Sequence, residues 1–402
     1  MRELCERSMP MLLLPSFAFV LFLSGVVASP MQRSFLDDAY SKSINARCLD
    51  GSTPAYYLRK ASGKENSTKF IVYFQGGGWC YSLAECVARA TTPIGSSSTY
   101  PETLESKGGI VDPNPETNPN FHSWNHVWVP YCDGTSWSGN RVKPVKVGNT
   151  TIHYRGRANM QALAAALRRD AGMESATDVI MDGGSAGGLT VLLHADFFGS
   201  LLPSASKFAA IGDAGWFRPS IALDKVGYTE SIKVMVANSN ATSDFDCIRS
   251  QKEVSNCFFA PTVFPHLSTK MFILEGAYDS WQLHNILGFP CATYGQTLEH
   301  CSKAQNSSLE NYGDAMRASI GIALESTRHH KQTSGAFVSQ CIIHVQSAFN
   351  ENHDVWHGML RVNEETPHDV VSEWYFGLGK GISIEDCGYF GCNKFCQTYT
   401  LS

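Results

Sequence analysis

The segment Val179-Ile180-Met181-Asp182-Gly183-Gly184-Ser185-Ala186-Gly187-Gly188-Leu189 is an apolar run, a serine set among glycines, and a second apolar run that begins small. It reads as a strand, a sharp turn and a helix, with Ser185 at the tip. A serine pushed out of such a turn presents its hydroxyl, and glycines two residues to either side relieve the crowding that the turn creates. Gly183-x-Ser185-x-Gly187 is therefore a candidate nucleophile elbow. Alone the pattern is weak, because a chain with 34 glycines makes such combinations in ordinary turns. Its context strengthens it: a buried-looking strand over Thr177–Met181 precedes it, and a helix over Leu189–Phe198 is expected after it. A serine nucleophile then needs an oxyanion hole, a base and an acid.

Similar short apolar runs occur at Phe70–Phe74, His126–Tyr131, Phe208–Ile211, Met271–Leu274 and Ala336–Ile343. Each suits a strand buried on both faces. Between them lie helical patterns. Arg157–Ala171 places Met160, Leu163, Ala164 and Leu167 on one stripe with Arg168 and Arg169 near its end, and a long helix is expected from about Ser308 to Lys331. Alternation of this kind predicts an α/β-hydrolase-like, doubly wound, mostly parallel sheet with helices on both faces. The Gly-, Pro-, Ser- and Asn-rich stretch Thr91–His122 reads as a long irregular insertion, with sheet-like runs continuing on both sides, so residues 29–402 read as one catalytic domain.

Upstream of Ser185, Phe70–Phe74 runs into Gln75-Gly76-Gly77-Gly78-Trp79-Cys80. Three glycines leave backbone N–H groups unobstructed, as in loops that face a developing oxyanion, and the N–H of Ala186 is expected as a second donor. A plain glycine turn after a strand is the bland reading. The acid should follow the serine at the end of a later strand. Asp279 does so, just beyond Met271–Leu274; Asp213 and Asp354 compete, and chain order alone does not separate them. The histidine should come last. His344 closes the run Cys341-Ile342-Ile343, with His353, His357 and His368 as alternatives; His284 and His300 come early, and His329 and His330 sit beside Lys331 at an expected helix end. His353-Asp354-Val355-Trp356-His357 copies the spacing of a zinc-protease motif, but with Asp in place of Glu, which weakens that reading.

At 402 residues, 43% of them hydrophobic, the chain can bury a large core. A net charge of -5 with no basic stripe argues against nucleic acid as a partner. Arg2 and Arg7, the apolar segment Met11–Val27 broken by Pro15, and Ala28-Ser29-Pro30 predict a secretory signal peptide over residues 1–28; an uncleaved anchor is the alternative, since Glu3 and Glu6 offset the leading charge. No later segment is apolar and long enough for stable membrane insertion. Of 13 cysteines, Cys5 falls in that leader, leaving an even set suited to disulfides in an oxidising compartment. Cys80 and Cys86 are close enough to clip a small loop, whereas Cys392-x-x-x-Cys396 lacks the second pair that a zinc site needs. Sequons at Asn66, Asn149, Asn240 and Asn306 fit a secreted glycoprotein.

These segments together resemble the pectin acetylesterase family of plants and microbes, whose animal branch is the carboxylesterase Notum. The resemblance runs nearly from Cys48 to Cys396. It is carried by Cys48-Leu49-Asp50-Gly51-Ser52-Thr53-Pro54-Ala55-Tyr56, Gly76-Gly77-Gly78-Trp79-Cys80, Tyr131-Cys132-Asp133-Gly134, Gly184-Ser185-Ala186-Gly187-Gly188, Asp213-Ala214-Gly215-Trp216-Phe217, Asn256-Cys257-Phe258-Phe259, Ala277-Tyr278-Asp279-Ser280-Trp281-Gln282, Cys341-x-x-His344 and the Cys387, Cys392, Cys396 tail. It implies Ser185 as nucleophile, Asp279 as acid, His344 as base and Gly77, Gly78 and Ala186 as the oxyanion hole, with no cofactor or metal. It thereby selects Asp279 over Asp213, and His344 over His353 or His357.

Two departures stand out. Plant members usually have Cys before the nucleophile and after the base, where this chain has Gly184 and Val345, and Gln75 stands where Glu is common. Tyr278–Gln282 and Tyr131–Ser136 look closer to the plant type, whereas Trp137-Ser138-Gly139 and Gly215-Trp216-Phe217 look closer to Notum. The expected function is a secreted serine esterase that removes acetyl groups from pectin in the cell wall. A Notum-like removal of a lipid acyl group from a secreted protein is the alternative, and a catalytically silent extracellular binding protein is the alternative of another class. The sequence carries no sign of oligomeric state.

Overall fold

The computed structural model describes residues 29–203, 206–219, 227–289, 291, 301–326, 334–348, 353–387 and 390–398. The expected signal peptide, His300, His329 and His330 lie outside them, as do the side chains of His353 and Asp354.

Ten strands make one sheet: β1 (Met31–Phe35), β2 (Ala55–Arg59), β3 (Lys69–Phe74), β4 (Thr103–Leu104), β5 (Asn125–Val129), β8 (Asp178–Gly184), β9 (Lys207–Asp213), β10 (Lys270–Asp279), β11 (Gly335–Ile343) and β12 (Ile382–Ile384). The hairpin β6 (Val145–Val147) and β7 (Thr150–Ile152) stands apart. The spatial order is β12-β11-β10-β9-β8-β3-β5-β2-β1-β4. From β12 to β5 every pairing is parallel; β2, β1 and β4 extend the sheet antiparallel.

The strands read as continuous apolar runs because both sheet faces are covered, and alternate residues feed two cores. Phe70, Val72 and Phe74 of β3 join Val179 and Met181 of β8 in one core, with Met160, Leu163 and Leu167 of the helix Gly156–Asp170 and Leu189 and Leu193 of the helix Ala186–Ser200. Ile71, Tyr73, Ile180, Ile211 and Leu274 point to the other, with Val371 and Trp374 of the helix Pro367–Phe376. The expected α/β-hydrolase-like architecture is what forms.

Differences lie at the antiparallel end. β1 is short and partly exposed, β2 is short though buried at four of its five residues, and neither was expected as a strand. The Thr91–His122 insertion is irregular except for β4 and one helical turn at Gly109–Val111. The helix expected from Ser308 begins at Lys303 and is described to Ser326. Its earlier start follows from a reciprocal cap: Ser302 Oγ accepts from Gln305 N–H at 3.3 Å, and Gln305 Oε1 accepts from Ser302 N–H at 2.8 Å.

All twelve cysteines after Cys5 are bridged, in the pairs Cys48–Cys132, Cys80–Cys86, Cys247–Cys257, Cys291–Cys301, Cys341–Cys396 and Cys387–Cys392. The expected Cys80–Cys86 clip is among them, and Cys392 and Cys396 are committed to different partners. Among the described residues no helix is long and apolar enough to cross a membrane.

Loop entropy ranks these bridges. Cys48–Cys132 closes 84 residues of chain and Cys387–Cys392 only 5. Replacing the first pair by serine is expected to cost about 4.5 kcal/mol and the second about 2 kcal/mol. Denaturant unfolding of the two double variants checks the order.

Candidate active site

The parallel strands deliver Ser185, Asp213, Asp279 and His344 to one end of the sheet. Phe74 at the end of β3 pairs with Gly183, Gly184 pairs with Asp213, and Asp279 at the end of β10 pairs with Ile343 at the end of β11. Ligand sites of open parallel sheets lie at such carboxyl ends. Ser185 follows β8 directly, with φ 60° and ψ -124°, a strained conformation for a residue with a side chain. Its N–H donates to the Asp213 carbonyl at 2.9 Å. The turn closes only because Gly187 lacks a side chain: a Cβ there would stand 2.0 Å from the Phe74 carbonyl oxygen. Ser185 remains 8% exposed, enough to be reached.

The glycine-rich loop after β3 lies against this turn. A Cβ on Gly76 would come 2.3 Å from the Gly184 oxygen, 2.8 Å from Ser185 Cβ and 3.3 Å from the Ala186 nitrogen. Gly77 and Gly78 follow with positive φ. Among the described residues the N–H groups of Gly77, Gly78 and Ala186 donate to no protein acceptor, so the loop after β3 and the start of the helix after Ser185 both carry unpaired amides.

Arg89 shapes this loop, and sequence reading missed it. Its guanidinium donates to the carbonyls of Gly77 at 2.8 Å and Trp79 at 2.9 Å. The helix Leu83–Arg89 carries it there, started by a Ser82/Glu85 capping box and tethered by Cys80–Cys86. The signal was present: Cys86 and Arg89 are one helical turn apart, so a clip at Cys86 aims Arg89 back at the residues around Cys80. Ser136 was also missed. It accepts from Trp79 Nε1–H and donates to the Ala186 carbonyl, both at 2.7 Å.

Asp279 is fully buried; Oδ1 accepts from Gln282 N–H at 2.8 Å, and Oδ2 stands 2.6 Å from His344 Nδ1. Gln282 is held in turn by the Tyr312 hydroxyl at 2.8 Å. His344 follows β11, and Val345 after it adopts a positive φ. Burial pulls the His344 imidazole towards neutrality, but the Asp279 charge and hydrogen bond, with the Asp213 charge, raise its pKa above the ordinary value. Val345 Cγ1 lies 2.8 Å from where a Gly184 Cβ would be, so the residues flanking the serine and the histidine touch.

Asp213, the rival acid, faces elsewhere. Its Oδ2 accepts from Gln346 N–H, Ser347 N–H and Ser347 Oγ at 2.7, 2.6 and 2.8 Å. Burial pushes its carboxyl up to about 6, against those hydrogen bonds. Burial also pushes Asp182 and Glu275 well above the carboxylate range, helped by the neighbouring charges of Asp213 and Asp279 respectively. Of the rival histidines, His284 is exposed on the helix Ser280–Asn285, and His357 and His368 belong to the helices His353–His357 and Pro367–Phe376.

An aromatic group walls the site. Trp79 meets Phe217 at 4.9 Å, Trp281 at 5.5 Å and Tyr228 at 5.8 Å between ring centroids, Phe217 meets Trp281 at 5.7 Å, and Trp281 stacks towards His344 at 6.4 Å.

A family model described as Pectinacetylesterase matches residues 27–397. Pectin acetylesterase 11 of Arabidopsis thaliana is 31% identical over 94% of this chain and 96% of its own length, and pectin acetylesterase 7 of the same plant is 32% identical over 92% and 93%. Palmitoleoyl-protein carboxylesterase NOTUM of Schmidtea mediterranea is 26% identical over 87% of this chain and 64% of its own. The crystal structure of the Wnt deacylase Notum from Drosophila superposes with a TM-score of 0.76 at 24% identity, covering 92% of this chain and 100% of that one. That likeness is one of fold.

The His344 environment has a direct readout. In the wild-type chain the imidazole is expected to titrate above an ordinary histidine; in Asp279→Asn burial is opposed by the Asp213 charge alone, and the pKa falls. Nitrogen-15 NMR of histidine-labelled protein measures both, and an unchanged pKa in the variant contradicts the coupling.

Proposed function

The chain belongs to the pectinacetylesterase family and is a carboxylic ester hydrolase; we propose that it removes acetyl groups from a pectin-type polysaccharide outside the cell, using Ser185, His344 and Asp279. The observation that carries the reading is the 2.6 Å contact between His344 and Asp279 at the sheet edge where Ser185 occupies its strained turn.

In the proposed reaction His344 accepts the Ser185 proton while Asp279 holds the imidazole by Nδ1 and offsets the charge it gains. The serine oxygen attacks the ester carbonyl, and the N–H groups of Gly77, Gly78 and Ala186 stabilise the oxyanion. His344 passes its proton to the departing sugar oxygen. Water, activated by the same histidine, then frees acetate.

The aromatic wall favours a short acyl group. Trp79 and Phe217 are buried and packed against each other and Trp281, which supports a small acyl site. The even set of bridged cysteines suits an oxidising, extracellular setting.

Ser185→Ala is expected to lower kcat on acetylated pectin by about 10⁴-fold or more. For the wild type, kcat/KM falls as pH drops through the raised His344 pKa, because only the neutral imidazole accepts a proton; this acid limb lies above that of an ordinary histidine. Arg89→Met is expected to reduce kcat by about 10²-fold with little change in KM, as when an oxyanion donor is misplaced. Purified enzyme assayed on acetylated pectin, acetylated xylan and a long-chain acyl ester decides the substrate. Preference for the long chain replaces the pectin reading with the lipid-deacylase one, and no turnover of any ester favours the binding-protein alternative.

A further inference from the structure

His357 ends the helix His353–His357, and His368 and Asp369 lie in the first turn of the helix Pro367–Phe376. One potential ligand atom from each of the three lies within 4.8 Å of the others. The two imidazole rings are perpendicular, with centroids 4.8 Å apart. An ion bound in the ring plane at the usual zinc–nitrogen distance sits about 3.2 Å from each centroid, so this spacing corresponds to an angle at the metal of roughly 100°, close to tetrahedral.

The carboxylate fits the same geometry. Asp369 Oδ1 is 3.5 Å from His368 Nδ1. That is long for a hydrogen bond, yet it matches the separation of about 3.4 Å between two ligands on a tetrahedral ion. The outer partners are present too. Asp369 Oδ2 accepts from Thr366 N–H at 3.0 Å, which leaves Oδ1 to face the site, and His368 Nε2 is 3.4 Å from Ser372 Oγ. Metal-bound imidazoles and carboxylates are ordinarily oriented by such second contacts.

Burial presets the site. His368 is 3% exposed and packed edge-on against Phe121 and Trp356, so its ring has little freedom. His357 and Asp369 are partly exposed, which gives an ion access. Among the described residues neither ring nitrogen of His357 has a hydrogen-bond partner.

We propose that His357, His368 and Asp369 bind one Zn²⁺ ion, with water completing the shell. Two imidazoles and one carboxylate suit zinc better than calcium or magnesium, which take oxygen ligands. The ion joins two helices across the turn of chain between them; it has no part in ester cleavage, which other residues carry. The site draws on His357 from the zinc-protease-like spacing, but pairs it with residues eleven and twelve positions on.

The test uses the full mature chain, free of any histidine tag and stripped with EDTA, titrated with zinc sulfate by calorimetry and checked by elemental analysis. The wild type is expected to bind one zinc per chain and to gain roughly 2–4 °C in Tm at saturating zinc. His357→Ala and Asp369→Asn are expected to lose at least about tenfold in zinc affinity and the zinc-dependent gain in Tm. Both should retain esterase activity and a metal-free Tm close to wild type, which separates metal loss from misfolding. Cobalt(II) in place of zinc should give the visible absorption of a tetrahedral ion. Substoichiometric binding by the wild type, or unchanged affinity in both variants, overturns the proposal.

Discussion

The backbone of β3 and the Ser185 turn are in contact at distances that admit no side chain. A Cβ on Gly187 would overlap the Phe74 carbonyl, and one on Gly76 would overlap the Gly184 oxygen. This close approach holds the serine in a strained turn and sets the start of the glycine-rich loop against it. It costs conformational freedom, and the surroundings offset that cost through parallel pairing of β3 with β8 and interior packing on both sheet faces. Arg89 and Ser136 then secure the loop from outside, one through the carbonyls of Gly77 and Trp79, the other through Trp79 and Ala186.

Electrostatics narrows the same edge further. Asp182, Asp213, Glu275 and Asp279 are all buried there, and so many charges cannot coexist away from water. Asp182 and Glu275 are driven towards the neutral form. Asp213 is tied to both loops: its carbonyl accepts from Ser185 N–H and its carboxylate from the amides of Gln346 and Ser347 and the Ser347 hydroxyl. One residue thus ties the serine turn to the histidine loop. The residue that competed to be the acid acts as the brace between the other two.

Gly184 and Val345 fit this picture. They touch in the folded chain, so the places where plant relatives carry cysteines are neighbours in space. Here a valine side chain fills the gap that a side chain at 184 would otherwise occupy, and the two substitutions are one packing change.

The apolar runs of β3, β8, β9, β10 and β11 were legible because burial on both faces writes itself into local sequence, and the Ser185 elbow because its glycines answer a local steric demand. The amphipathic stripe of Gly156–Asp170 was legible for the same reason. The strands of the antiparallel end, β1, β2 and β4, were not: Met31–Phe35 and Thr103–Leu104 carry no apolar run, and the run in Ala55–Arg59 is only four residues. Residue types alone also left Asp279 and Asp213 level: both end apolar strands. Only the register of β9, β10 and β11 decided that Asp279 meets the imidazole while Asp213 meets the loop behind it. The other disulfide pairs, the contact of Ser136 with Trp79 and Ala186, and the meeting of His357 with His368 and Asp369 were likewise decided by tertiary structure. Each joins residues brought together by the packing of whole elements, and local sequence holds no record of which elements will be neighbours.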